Sequence, residues 1–290
     1  MQVGMIGLGR LGLPIALNLV DGGFKILGYR RHPESPLEAG GRLARSVAEV
    51  GSACEIVLTC LPTPEALADV ISGPGGLVSS MRPGGLVIDL GTFPIAAKRE
   101  QQKALQMASI AMLDCAVSGN YRYVKARSAA LFVGGDARDY QRCAAVLAAI
   151  TDHVTHVGDF GAGTTLKMIA SLLVPVHTLA AAEAFALASR AGISLRTVFD
   201  AIKGSQASSA MFETRGAMMV TGDYHSGEIK LQGYYRNVTK TMELAAELGG
   251  NYPLLSAMEA CFRNAIASGY GQIEPSGIIE FLLKDGSPSA

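Results

Sequence analysis

Along the first half of the chain, short apolar runs alternate with stretches whose apolar residues recur every three to four positions. The runs at residues 2–6, 25–27, 55–60, 85–90, 111–117, 129–133 and 154–157 predict β-strands. Several are apolar on both faces, as strands covered on two sides require. Helical spacing fills the intervals. Residues 11–20 stop at Gly22-Gly23, a C-terminal stop signal, and residues 64–71 and 139–150 carry the same period. Such alternation predicts an α/β domain built on a doubly wound sheet.

The pattern changes after Gly163. Residues 164–190 form an Ala/Leu-rich run with a single proline, Pro175, and no alternation of strand type. Helical segments follow at 195–202, 207–220, 229–248, 254–267 and 276–283, separated by Gly, Pro and Asn signals. The boundary therefore falls near residue 160, giving an α/β domain over 1–160 and an all-α domain over 161–290. A length of 290 residues suits two domains at ~150 residues each.

Composition narrows the class of ligand. With 49% hydrophobic and 17% charged residues, the chain has apolar area for two cores and lacks the charge excess of a disordered protein. Basic and acidic residues balance at 25 each, and the longest basic block is Arg30-Arg31-His32, so neither nucleic acid nor an anionic membrane is expected as partner. A small molecule is. The five cysteines, Cys54, Cys60, Cys115, Cys143 and Cys261, are scattered without a CxxC pair, which predicts no disulfide framework and no metal site. The apolar N-terminus carries glycines at motif spacing and Arg10, unlike a signal peptide, and no uninterrupted apolar stretch reaches about 18 residues. A cytoplasmic enzyme is expected. The apolar run through Leu172 and Leu187 has more greasy surface than a small helical domain covers, which predicts a homodimer or homotetramer.

The chemistry starts at Gly7-Leu8-Gly9-Arg10-Leu11-Gly12, where a strand ends and a helix begins. In that setting Gly7 permits a tight turn, Gly9 lets a dinucleotide approach the backbone, and Gly12 lets helix and strand pack closely. The pyrophosphate would sit on amides at the positive end of the helix dipole. Versions that hold NAD place a carboxylate at the end of the second strand, about 20 residues on, for the ribose 2′-hydroxyl. Here that strand ends Gly28-Tyr29-Arg30-Arg31-His32, with no carboxylate before Glu34. Guanidinium groups suit a 2′-phosphate, with Tyr29 or Arg30 against the adenine, so NADP(H) is the expected cofactor and NAD(H) the alternative.

Four blocks in order make the sequence resemble the β-hydroxyacid dehydrogenase family, which includes 3-hydroxyisobutyrate dehydrogenases and tartronate semialdehyde reductases. They are residues 4–12 with Asn18-Leu19; Asp89-Leu90-Gly91-Thr92; Asp114-Cys115-Ala116-Val117-Ser118-Gly119; and Gly161-Ala162-Gly163 followed by Lys167. The resemblance spans nearly the whole chain. It implies an N-terminal Rossmann domain joined through a long helix to an all-helical domain, with a small carboxylate substrate between them. It implies that Lys167 is the catalytic acid/base, that Ser118 and Gly119 hold the substrate carboxylate, that Leu61, Pro62 and Thr92 line the cofactor, and that Arg30 is the basic residue after the second strand. A lysine fits such a role, because an ammonium strengthens its hydrogen bond as hydride transfer puts charge on a carbonyl oxygen. Its apolar neighbours Leu166, Met168 and Ile169 argue against a solvated helix face.

The chain also departs from the family's pattern. An asparagine one turn after the lysine is Ser171, and a Ser-Gly-Gly run becomes Ser118-Gly119-Asn120 followed by Tyr121-Arg122-Tyr123. Arg122 could hold a second acidic group or stand in solvent. A Lys-Asp pair near the nicotinamide becomes Arg236-Asn237, and Gly91 replaces a serine before Thr92. The expected activity is interconversion of a small β-hydroxy acid and its semialdehyde or keto acid. The alternatives are a non-catalytic NADPH-binding protein and imine reductase-like chemistry, which typically lacks the lysine. A histidine acid drawn from His153, His156, His177 or His225 would fall on no family motif.

Overall fold

A computed structural model of the chain describes residues 1–31, 41–224 and 229–284. His32, Glu34 and His225 lie outside the described residues. The chain divides into two compact units, Met1–Lys167 and a second beginning at Met168.

In the first unit, the elements in order are β1 (Gln2–Ile6), α1 (Gly12–Asp21), β2 (Lys25–Tyr29), β3 (Gly41–Leu43), α2 (Val47–Ala53), β4 (Ile56–Thr59), α3 (Pro64–Ser72), α4 (Leu77–Ser80), β5 (Leu86–Asp89), α5 (Ile95–Met107), β6 (Ala111–Ser118), α6 (Tyr121–Lys125), β7 (Ala130–Gly134), α7 (Ala137–Ile150) and β8 (His153–Gly158). The sheet runs β3-β2-β1-β4-β5-β6-β7-β8. This is a doubly wound sheet whose strand order reverses between β1 and β4, the place where open α/β sheets bind ligands at the carboxyl ends of their strands. Strand residues alternate between two cores. Val3, Met5, Ile56, Leu58, Leu86 and Ile88 pack on one face with residues of α1 and α7. Ile6, Val57 and Val87 pack on the other with residues of α2, α3 and α5.

Two features depart from the strand–helix pattern. All pairings are parallel except β6 with β7. A parallel return needs a crossover of about a dozen residues or more, whereas the connection here holds only the five-residue α6, so β7 turns back antiparallel. Helix α5 was not evident from apolar spacing, because its buried residues are Lys98, Gln101 and Leu105. Their spacing is helical, but two of the three are polar, and each has a polar partner. Ser72 Oγ donates to Gln101 Oε1 at 2.6 Å, and Lys98 joins the cluster described below.

Helix α8 (Ala162–Arg190) starts in the first unit and runs on in the second, which continues with α9 (Leu195–Ile202), α10 (Ala210–Thr221), α11 (Leu231–Leu248), α12 (Pro253–Ala267) and α13 (Ile278–Lys284). By length and composition α8 could cross a membrane. Its residues Leu179, Ala181, Ala182 and Phe185 belong to the apolar core of the second unit, with Phe199, Phe212 and Phe262. At the centre of that unit, Arg215 donates to Thr178 and Tyr234 at 2.7 and 2.6 Å and pairs with Glu274 at 3.2 Å.

Asn18 ties the first unit together. Its buried side chain donates to Val124 O at 2.7 Å and Ile150 O at 2.9 Å, so one amide closes the ends of α6 and α7 onto α1. Asn18→Leu leaves both carbonyls without these donors, and should lower the unfolding free energy by about 2–4 kcal/mol in urea titrations of the purified protein. A loss under about 0.5 kcal/mol would show that the two bonds contribute little.

Candidate cofactor and catalytic site

The register of the sheet sets Tyr29, Ile6, Thr59, Asp89 and Asp114 in one row across β2, β1, β4, β5 and β6. Residues following that row line a cleft of about 920 Å³ confined to the first unit. Of the residues expected from the sequence, those at 7–12, Tyr29, Arg30, Arg31, Leu61, Pro62, Thr92, Gly119 and Lys167 line it. Ser118, Asn120 and Arg122 do not. Ser171 stands four residues beyond Lys167 on α8, and Arg236 and its neighbour Asn237 are exposed on α11 of the second unit.

The three motif glycines are explained differently. Gly7 has φ +97°, and a Cβ there would come within 2.2 Å of Cys60 O. At Gly12 a Cβ would lie 1.9 Å from Gly7 O. Both are imposed by the protein's own packing. At Gly9 the backbone is ordinary and no protein atom lies within 4 Å of the Cβ position. Nothing in the described residues requires glycine at that point, so the space suits a ligand that approaches the backbone. Helix α1 has neither a side-chain cap nor an acidic residue in its first turn, which leaves the positive end of its dipole open to an anion. Arg10, Arg30 and Arg31 add positive charge to the same cleft. These residues fit a dinucleotide.

At the other functional group, Lys167 is half-buried in the first turns of α8 and donates to Val117 O. The start of that helix lies directly on the sheet. A Cβ on Gly163 would come within 2.4 Å of Phe132 O and 2.5 Å of Asp114 O. Gly119, with φ +140°, turns the chain after β6, and its Cβ would crowd Tyr123 and Ala129. The Asn120 carboxamide oxygen accepts from Arg122 N at 2.9 Å and caps α6. Arg122 Nε donates to Tyr121 OH, and the Arg10 guanidinium lies 5.1 Å from the centre of the Tyr121 ring.

Beneath the cleft lies a fully buried ion cluster. Lys98 Nζ is 2.8 Å from Asp89 Oδ2, bonds Asp114 Oδ1, donates to Gly91 O at 2.8 Å and approaches Thr164 Oγ1 at 3.3 Å. Thr59 Oγ1 donates to Asp89 at 2.8 Å, and Thr164 donates to Asp114 through N–H and hydroxyl at 2.7 and 2.6 Å. Burial pulls the lysine pKa down, but the charges and hydrogen bonds of Asp89 and Asp114 outweigh it and raise it above the ordinary value. The sequence identified Asp89 and Asp114 only as parts of blocks and passed over Lys98, whose setting in Ala-Lys-Arg-Glu reads as a solvated helix face.

The histidines do not reach the cleft among the described residues. His156 bonds Gly135 O at 2.8 Å and stacks on Tyr140, His153 is exposed, and His177 lies in the second unit. No group of three or more His, Cys, Asp or Glu side chains among the described residues could hold a metal ion.

Similarity to known proteins agrees with this arrangement. Residues 2–158 match the family described as the NAD-binding domain of 6-phosphogluconate dehydrogenase, and residues 161–282 match the NAD-binding family of NADP-dependent 3-hydroxyisobutyrate dehydrogenase. An L-threonate dehydrogenase of Cupriavidus necator is 32% identical over 97% of this chain and 96% of its own length. A 2-hydroxy-3-oxopropionate reductase of Escherichia coli is 26% identical over 97% of each chain. The solved structure of Mycobacterium tuberculosis 3-hydroxyisobutyrate dehydrogenase with L-serine superposes with a TM-score of 0.86 at 26% identity, over 97% of this chain and 98% of the other. The fold and cleft define a pyridine-nucleotide-dependent oxidoreductase acting on CH–OH groups. The chain belongs to the β-hydroxyacid dehydrogenase family.

Cys60 lines the cleft, which the sequence does not signal, because a single cysteine in an apolar run has no motif. Burial, and then the charge of Asp89, push its thiol up to about 12. At pH 8 about one thiol in ten thousand is then ionised. Iodoacetamide at that pH should leave Cys60 unlabelled in the native protein and label it in urea, as read by peptide mass spectrometry. Native labelling at the rate of a free thiol would contradict this environment.

Proposed function

We propose that this protein is an NADP(H)-dependent oxidoreductase that interconverts a small β-hydroxy acid and its semialdehyde or keto acid, with Lys167 as general acid/base. The observation that carries the reading is that one cleft is lined both by the glycine turn with Arg30 and Arg31 and by Gly119 and Lys167. The 2′-phosphate is assigned to Arg30 and Arg31, since planar donors can take two phosphate oxygens at once. Tyr29 borders the adenine, and Leu61, Pro62 and Thr92 border the rest of the dinucleotide. Arg236 is assigned to the nicotinamide side.

The bound nicotinamide supplies or accepts the hydride. In the reducing direction, the Lys167 ammonium donates a hydrogen bond to the substrate oxygen, strengthens it as negative charge develops, and transfers its proton. In the oxidising direction the neutral amine takes the hydroxyl proton. Val117 O fixes where Nζ sits, at the carboxyl end of β6. Ser118 and Gly119 hold the substrate carboxylate. Asn120 and Arg122 shape the far side of that loop, and Ser171 supplies a hydroxyl one turn beyond Lys167. A carboxylate bound at the loop orients the reacting carbon, which lowers the barrier by removing freedom before the chemistry.

Lys167→Ala should abolish turnover in a screen of β-hydroxy acids and semialdehydes while the NADPH dissociation constant stays within a few-fold. Wild type and variant inert alike, with NADPH still bound, would favour a binding protein without catalysis.

Replacing Arg30 and Arg31 together by Ala removes charge-assisted phosphate contacts, which typically contribute ~1.5–3 kcal/mol, or roughly 10- to 150-fold in affinity. Fluorescence titration should show NADPH weakened by that factor and NADH nearly unchanged. Equal weakening of both cofactors would overturn the phosphate assignment.

A further inference from the structure

We propose that Lys98 and Thr164 are positioning residues for the reaction, setting Lys167 through the carboxylate of Asp114; this rests on the reading of Lys167 as the acid/base. Lys98, Asp89 and Asp114 have no exposed side-chain surface. Together they bury one cation and two anions. As a source of stability alone this is a poor arrangement, because apolar residues of similar volume often replace buried ion pairs at no loss. What the cluster supplies is geometry.

Each partner of Lys98 belongs to a different piece of the cleft. Asp89 ends β5, and Gly91, whose carbonyl accepts from Nζ, precedes the cleft-lining Thr92. Asp114 lies in β6 three residues before Val117, whose carbonyl accepts from Lys167. The same Asp114 caps α8 from outside the helix, taking the Thr164 N–H with Oδ2 and its hydroxyl with Oδ1. Thr164 is one turn before Lys167. Next to Lys98 on α5, Arg99 Nη2 donates to Phe160 O at 3.0 Å and fixes the chain just ahead of α8.

The chain entering α8 is thus tied at Phe160, and the helix itself at Thr164 and at Lys167. With Gly163 against the backbone of β6 and β7, there is no room for the helix to settle closer to the sheet. The Thr164 hydroxyl is the joint of this arrangement, since it donates to Asp114 and lies within 3.3 Å of the Lys98 ammonium. Without it Asp114 keeps only the backbone donor on that side, and the turn that carries Lys167 loses its fixed rotation. A displacement of about 1 Å at a reacting group can cost about 100-fold in rate.

The test compares Thr164→Val with Thr164→Ser in the full chain, beside Lys98→Met. Valine keeps shape and the backbone bond but loses the hydroxyl; serine keeps the hydroxyl. Thr164→Val should lower kcat by about 10- to 100-fold, leave the KM for substrate and the NADPH dissociation constant within about three-fold, and shift the pH dependence of kcat relative to wild type. Thr164→Ser should restore kcat to within about three-fold of wild type with the original pH profile. Lys98→Met, where it folds, should lower kcat in the same way. Wild-type kcat and pH profile in Thr164→Val, with Lys167→Ala inactive, would overturn the proposal and leave the acid/base reading standing. Equal losses in the valine and serine variants that follow only the melting temperature would also overturn it. Turnover surviving Lys167→Ala would overturn both.

Discussion

The Lys98 ammonium, held between two carboxylates with no access to water, is the constraint on which the cleft depends. A doubly wound sheet presents its ligands at the carboxyl ends of parallel strands, and those ends have to be level for a surface to form there. Here the leveling is electrostatic. Thr59, Asp89 and Asp114 occupy neighbouring register positions in β4, β5 and β6; Lys98 reaches the two carboxylates from α5, and Thr59 donates to Asp89. Removing one member of such a cluster typically costs about 3–5 kcal/mol because the others remain buried and charged. Its raised pKa keeps Lys98 protonated through and above the ordinary lysine range. For a raised pKa the stabilising contribution is fully present below the unfolded value and is lost only as pH rises through the folded one, so neutral solution leaves the lysine's part intact.

The glycine turn and the ion cluster do different work on the two sides of that row. Gly7 and Gly12 are dictated from within, by carbonyls that a Cβ would strike. Gly9 is not, and its open space makes the turn a receptacle as well as a bend. Arg10, Arg30 and Arg31 line the same cleft and give it positive charge. The cluster beneath carries its charges fully desolvated.

Legibility in the sequence followed the same division. Seven of the eight strands were evident, most of them because they are apolar on both faces, and the glycine turn because its residues are constrained by sterics at fixed spacing; β3 was not, since Gly41-Arg42-Leu43 carries no apolar run. Helix α5 was not, since it buries Lys98 and Gln101 where a hydrophobic pattern expects leucines. The antiparallel β7 was hidden because a pattern of alternating elements does not specify direction; only the brevity of α6 does. Of the residues expected to form the site, those at 7–12, Tyr29, Arg30, Arg31, Leu61, Pro62, Thr92, Gly119 and Lys167 line the cleft. Val117 was seen only as part of a block, because what it contributes is a backbone carbonyl, which every residue has. Lys98 and Thr164 could not be read at all: their role arises from three strands and two helices meeting, and no local window of sequence contains them together.

Most departures from the family's pattern fall on half-buried or exposed positions; Gly91 is the exception, buried with a ring atom of Phe93 2.1 Å from its would-be Cβ. Asn120 caps a five-residue helix, and Arg122 and Arg236 are exposed. By contrast Gly7, Gly12 and Gly163 face backbone atoms at under 2.5 Å from a would-be Cβ, and Lys98, Asp89 and Asp114 have no solvent to compensate a lost partner. A change at the first group alters what can be recognised and costs little folding free energy, while a change at the second disturbs the sheet edge itself. This asymmetry lets the exposed turn after β6, with Gly119, Arg122 and Tyr123, change more freely than the buried cluster that anchors the strand ends beneath it.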